Sequence, residues 1–305
     1  MSRRGAGPGF LAVALGLLAS LGGGAAAPPR FRKLSEHYFY LAGTGGSGNV
    51  GALVTEDGVL LVDTPAEGDV AAALEALRRV TPKPVRWLVN TDRHPEHTGG
   101  NAYFLAHNAL LVGRREPAAP AGPRGVGLAF DSQMRLFPGG VEARILAVEP
   151  KAHTASDVVV FLPSEKVLHV GDLFTPGSYP AIDPKAGGSA LGWLEATRAV
   201  IEAVPLLRSA MPPRPSTATK APALPAEEKT LEELVVVVPG HGRASNLAEL
   251  KNLLENVQKL RTEVSRAVSA GRSRGTLVGS VALSFREYKE VESFAGQLFD
   301  ALSAK

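Results

Sequence analysis

Short apolar runs closed by glycine, proline or an acid recur along the chain and alternate with longer stretches of helical spacing. Runs 38–41, 50–55, 59–62, 85–89, 110–112, 142–148, 157–162, 167–173 and 234–238 read as strands. Asp57-Gly58 supplies the turn that makes a hairpin of the second and third. Residues 67–80, with Ala71, Leu74, Leu77 and Arg78 at three- and four-residue intervals, read as a helix stopped by Thr81-Pro82-Lys83-Pro84. Further helices are expected at 102–109, 191–204, 247–270 and 285–302; the last two carry apolar faces suited to covering a core and could equally form a homodimer interface. Alternating strands and helices predict an α/β fold.

The glycine cluster 43–49 lacks the lysine of a P-loop and is not followed by a helix, so it reads as a connection between strands. Residues 114–127 read as a long surface loop, where His107, Arg114 and Arg115 are more simply a solvated edge than an anion site. The stretch 205–228, with Pro212-Pro213-Arg214-Pro215, reads as a flexible insertion, either a lid, a partner site or plain disorder. Arg3-Arg4, an apolar run at 10–21 and the small residues 22–27 form the pattern of an export signal. The expectation is a periplasmic or secreted product with no stable membrane span after signal removal; the competing reading is a tether through an uncleaved signal. Residues 31–246 then form the main domain, and 247–305 a helical extension packed on it.

Several strand ends carry residues that bind metals. Strand 85–89 runs into Asn90-Thr91-Asp92-Arg93-His94-Pro95-Glu96-His97-Thr98-Gly99-Gly100, where Asp92, His94, Glu96 and His97 can converge on one centre or two. A polar turn whose histidines cap backbone groups is the competing reading. His153 precedes strand 157–162, with Asp157 placed to bond its ring or brace its loop. Asp172 ends strand 167–173, well placed to ligate or bridge metals, and His241 lies in Pro239-Gly240-His241-Gly242 after strand 234–238. His169, inside its strand, reads as a structural histidine, and Asp63, ending strand 59–62, as a residue that orients the metal loop without touching metal. Tyr179, in a turn-rich rim candidate at 174–190, could meet substrate or pack its ring.

Composition narrows the chemistry. With no cysteine, thiolate ligands, disulfides and a cysteine nucleophile are excluded, so a metal must be held by His, Asp or Glu. A formal net charge of +3 and the lack of a large basic groove give no support to a nucleic-acid partner, leaving a small-molecule substrate. His94-Pro95-Glu96-His97 has the wrong spacing for the helical zinc-protease motif.

Taken in order, these elements resemble the metallo-beta-lactamase superfamily. Members carry Thr-His-x-His-x-Asp-His followed by glycines, then a separate His, an Asp after Gly at a strand end, and a His in a Pro-Gly-His-Gly turn. Here the matching positions are 91–100, His153, Gly171-Asp172 and 239–242, with Asp63 matching an aspartate after an early strand. The resemblance spans about 38–246 and implies a four-layer αβ/βα sandwich with two mixed β-sheets. It also implies one or two divalent metal ions, zinc first, with iron or manganese open. One metal would see Asp92, His94 and His153, and the other Glu96, His97, Asp172 and His241, with Asp172 shared. The implied activity is a hydrolase using metal-bound hydroxide on an ester, amide (including β-lactam-like), thioester or phosphoester, with Glu96 and Asp172 as catalytic residues.

Two departures stand out: Asp92 replaces the first histidine of the run and Glu96 its aspartate. The added carboxylate makes a harder centre that should acidify bound water less strongly. The longer Glu96 changes where its oxygen sits, and about an ångström of misplacement can cost roughly a hundredfold in rate. The alternative is therefore a catalytically degenerate relative that keeps the metal shell for a structural or interaction role.

Overall fold

The computed structural model describes residues 28–115, 126–209 and 234–304. The export pattern at 1–27, residues 116–125 of the expected surface loop and residues 210–233 of the insertion lie outside the described residues.

Among the described residues the strands form two mixed sheets. The first contains β1 (Arg32–Lys33), β2 (Tyr38–Leu41), β3 (Val50–Thr55), β4 (Gly58–Val62), β5 (Val85–Val89), β6 (Leu110–Arg114) and β7 (Val126–Phe130), in that spatial order. Neighbours are antiparallel as far as β4 and parallel from β4 to β7. The second contains β8 (Gln133–Leu136), β9 (Ala143–Ala147), β10 (Val158–Leu162), β11 (Val167–Gly171), β12 (Val236–Pro239) and β13 (Ser245–Asn246), in the order β13-β12-β11-β10-β9-β8. Only β11 and β12 pair in parallel there.

Because successive strand side chains point to opposite faces, continuous apolar runs imply sheets covered on both sides. Leu60 and Val62 of β4 pack against Val158, Val160 and Leu162 of β10 between the sheets. Val59 and Leu61 face outward onto Ala73, Ala76 and Leu77 of α1 (Val70–Arg78) and Phe104 of α3 (Asn101–Ala106). On the far side, Val159 and Phe161 meet α4 (Ala190–Ser209), α5 (Leu247–Ser269), α6 (Arg274–Ser284) and α7 (Val291–Ser303), centred on the fully buried Trp193 and Phe294. The layers are thus helix, sheet, sheet, helix.

Several boundaries differ from the sequence reading. Helix 67–80 is a 3-10 turn, Glu67–Asp69, followed by α1. The expected insertion begins inside α4, which continues past Pro205 to Ser209. The helix expected at 285–302 begins only at Val291, as α7, after a turn in which Glu290 takes φ 61°, and α6 before that turn was not expected. Two glycines, Gly275 and Gly279, weaken the helical pattern of α6. Its start is fixed by the Ser273 hydroxyl accepting from Thr276 N.

The architecture puts the chemistry at one edge. The carboxyl ends of parallel β4 and β5 present Asp63 and Thr91-Asp92, and those of parallel β11 and β12 present Asp172 and His241. Since β10 runs antiparallel to β11, the segment entering β10, with His153, reaches the same edge. Val158 N donates to Thr91 O at 2.7 Å and ties the two sheets together there.

Candidate metal centre

The proposed ligands fall into two groups, Asp92, His94 and His153 in one and Glu96, His97, Asp172 and His241 in the other, with the ligand atoms of each group within 4.8 Å of one another. Asp172 faces both. Its Oδ1 lies 3.4 Å from His97 Nε2 and 3.6 Å from His241 Nε2, while its Oδ2 lies 3.5 Å from His153 Nε2. In the other group, Asp92 Oδ1 is 3.5 Å from His94 Nδ1, Asp92 Oδ2 is 3.5 Å from His153 Nε2, and the two ring nitrogens are 3.0 Å apart.

Local backbone explains the convergence. His94 is extended (φ −66°, ψ 147°), and Pro95 opens a one-turn helix, α2 (Pro95–Thr98), which carries Glu96 and His97 around to the other side of the loop. The reading of this stretch as plain loop is corrected by that turn. Two glycines let backbone approach the ligands: a Cβ on Gly48 would lie 2.4 Å from His97 Cε1, and one on Gly240 would lie 1.9 Å from Asp172 Oδ1. The glycine cluster is thus a strand connection that also packs on the centre. Its Asn49 amide donates to Pro239 O and Gly242 O at 2.8 and 2.9 Å and holds the turn bearing His241.

Each histidine that faces the centre with one nitrogen and bonds elsewhere with the other is presented in a defined direction. His97 Nδ1 lies 2.9 Å from Asp63 Oδ2, and Asp63 also accepts from Thr91 N at 2.6 Å and Thr91 Oγ1 at 2.8 Å. Asp63 therefore orients the loop, as expected. His153 Nδ1 lies 2.6 Å from Ala181 O. Asp157 does not bond that ring; it braces the loop by accepting from Thr154 N at 2.9 and 3.0 Å. His94 Nε2 lies 3.2 Å from Asp183 Oδ2. His169 is buried behind the site, with Nδ1 2.8 Å from the Tyr38 hydroxyl.

The electrostatics ask for positive charge. Hydrogen bonding to Asp92 leads the effects that raise His94 to about 9. Burial opposes charging His97, yet the carboxylates of Asp63, Asp172 and Asp92 outweigh it and drive the ring upward. Burial likewise opposes ionisation of Asp172, but His97, His153 and His241 bring its carboxyl down to about 2. His169, desolvated and beside His97, falls to about 3 and stays neutral. Three buried atoms in the centre, Asp92 Oδ2, His97 Nε2 and Asp172 Oδ1, have no hydrogen-bond partner. Buried polar atoms are rarely left so, and imidazole and carboxylate atoms turned toward one another are what divalent cations need.

A sequence profile described as the metallo-beta-lactamase superfamily matches residues 43–241. The chain belongs to that superfamily. Its fold is shared by a metallo-beta-lactamase from Pontibacter korlensis, 19% identical, with a TM-score of 0.58 over 75% of this chain and 99% of that one. The metallo-beta-lactamase FIM-1 from Pseudomonas aeruginosa, in its mono-zinc form, is 20% identical, with a TM-score of 0.56 over 76% and 96%. The inverting sec-alkylsulfatase Pisa1 from Pseudomonas sp. is 13% identical, with a TM-score of 0.66 over 90% of this chain and 50% of that one. Superfamily membership accounts for the four layers and for a centre that generally holds one or two divalent metals.

Other candidates stand apart from this superfamily centre. Tyr179 is 1% exposed and stacks on Phe294, so it is core and not a substrate-facing ring. His107 Nδ1 lies 2.7 Å from Tyr103 O, Arg114 pairs with Glu149, and Arg115 pairs with Asp131 at 3.1 Å, which makes them a solvated edge. Sequence reasoning missed Asp183 and the Ala181 carbonyl, which lie in the turn-rich segment 174–190 without a motif to mark them. Gly48 was open to detection, because a glycine cluster outside any phosphate motif calls for a backbone contact.

Proposed function

We propose that this chain is a metallohydrolase holding two divalent ions, zinc first, one on Asp92, His94 and His153 and the other on Glu96, His97, Asp172 and His241. The observation that carries the reading is Asp172, whose two oxygens address the two ligand groups separately at 3.4–3.6 Å. Bound there, the ions would polarise a scissile oxygen and lower the pKa of a water toward about 7.

The chain's own residues supply the rest. Glu96 sits among the ligands on the short α2 turn, where its carboxylate can hold an attacking water and accept its proton. Asp63 keeps His97 Nε2 free by holding Nδ1. Asp172, ionised through its histidine neighbours, brings negative charge between the two groups. With Asp92 and Glu96 beside Asp172, the donor set carries three carboxylates, which favours hard cations and leaves iron or manganese as workable occupants.

Superfamily relatives named for β-lactam and alkyl-sulfate chemistry support hydrolysis as the reaction class. Zinc-loaded protein tested on β-lactam, carboxylic ester, thioester, phosphodiester and alkyl-sulfate panels should hydrolyse at least one class and lose that turnover on chelation. Two retained ions with no hydrolysis across the panel would favour the metal-holding structural role instead, a reading that the Asp92 and Glu96 replacements support.

A further inference from the structure

We propose that Asp183 is a positioning residue that selects which nitrogen His94 presents to the metal centre. The inference rests on the two-ion reading above and deepens it, because it assigns a supporting carboxylate to the Asp92, His94 and His153 group alone.

His94 turns its two nitrogens in different directions. Nδ1 faces the centre, 3.0 Å from His153 Nε2 and 3.5 Å from Asp92 Oδ1, whereas Nε2 lies 3.2 Å from Asp183 Oδ2. A nitrogen that binds metal offers its lone pair, so the ring's proton must sit on the other nitrogen. An ionised carboxylate accepts and does not donate, and therefore holds the Nε2–H form with Nδ1 open.

The carboxylate is itself held in place. Its Oδ1 accepts from Lys185 N at 2.9 Å and Ala186 N at 3.2 Å, which leaves Oδ2 for His94. The same short segment addresses His153 twice, through Ala181 O at 2.6 Å from Nδ1 and through Asp183 N donating to His153 O at 2.9 Å. One surface segment thus sets both imidazoles of this group. Asp92 is set separately, since its Oδ1 accepts from His94 N at 2.8 Å.

Asp183→Asn separates selection of the nitrogen from support of the loop. The two backbone N–H groups keep the amide oxygen on their side, so the amide N–H faces Nε2 and favours the form with the proton on Nδ1. Asp183→Ala removes both functions. The test is Zn²⁺ titration of the full-length wild type and both variants against a competing chelator, with thermal melts of the chelator-treated proteins and ¹⁵N spectra of the His94 ring. Asp183→Asn should weaken one of the two zinc sites about 10–100-fold, the range for a supporting partner of a ligating histidine. It should leave the other site and the metal-free melt at wild-type values and change the ring spectrum. On a His94→Ala background the same substitution should have no further effect on affinity. Wild-type affinities at both sites in Asp183→Asn, or a metal-free melt as low as that of Asp183→Ala, would overturn this inference while leaving the two-ion centre standing. Wild-type protein that binds no zinc would overturn both.

Discussion

His94 and His97 belong to the same loop, yet they are braced from opposite sides of the protein surface. The His97 side chain is 0% exposed, and its outward nitrogen meets Asp63, a core carboxylate that also holds Thr91 N and Oγ1. The His94 side chain is 24% exposed, and its outward nitrogen meets Asp183, itself 36% exposed on a surface segment. His97 is therefore braced by the sandwich and His94 by a loop, with Asp172 between the two ligand groups. Core bracing keeps its geometry at the cost of burying charge, whereas loop bracing leaves its charges partly in water and can change without disturbing the sheets.

The most disruptive way to break this contrast is Asp172→Asn, which removes the negative charge facing both halves at nearly unchanged size. Affinity for both ions should fall by more than about a hundredfold, beyond what a supporting residue is worth; metal retained in either group at wild-type affinity would contradict the shared role. Asp63→Asn should act on one side only. Zinc at the Glu96, His97, Asp172 and His241 group should weaken about 10–100-fold, and the melt should fall because buried hydrogen bonds to Thr91 are lost, roughly 1–3 kcal/mol for a group left unsatisfied. Equal weakening of both sites would remove the contrast.

Glu96→Asp tests the His97 side of the centre more finely. It should keep both ions but lower turnover on any substrate found, by no more than about a hundredfold, as the carboxylate retreats from the position that α2 gives it. A rise in turnover would mean that the longer side chain holds the centre out of register.

The gentlest probe is pH. The His94 pKa, raised to about 9, means that its proton stabilises the chelator-treated fold fully below about 6.5, the ordinary histidine value, and that this contribution is lost as pH rises toward about 9. Zinc must displace the same proton, so zinc affinity should rise over that interval while metal-free stability declines. Melts with and without zinc that move in the same direction would contradict the assignment.

The contrast also explains what could be read in the sequence. The sandwich was legible because strands covered on both faces leave near-continuous apolar runs, as in 59–62 and 157–162. Site residues fixed by strand ends were legible with them, because Asp63 directly follows such a run, Asp172 closes one, and His241 lies in the Pro-Gly-His-Gly turn after one. Asp183 follows none, and its carboxylate reaches His94 through a chain path that local pattern does not encode. Asp157 takes the second of the two roles its position next to His153 suggests, bracing the loop through Thr154 and leaving the ring to Ala181 O. Helix α6 was lost for a different reason: its glycines erase the propensity signal, and packing of Leu277 and Val281 on the core supplies the order.

The central claim is a two-ion centre divided by Asp172, and anomalous diffraction from freshly purified protein grown with zinc and iron tests it most directly. The account predicts two anomalous peaks per chain on either side of the Asp172 carboxylate, one bounded by Asp92, His94 and His153 and the other by Glu96, His97 and His241. Empty ligand groups, or a lone peak away from Asp172, would contradict it.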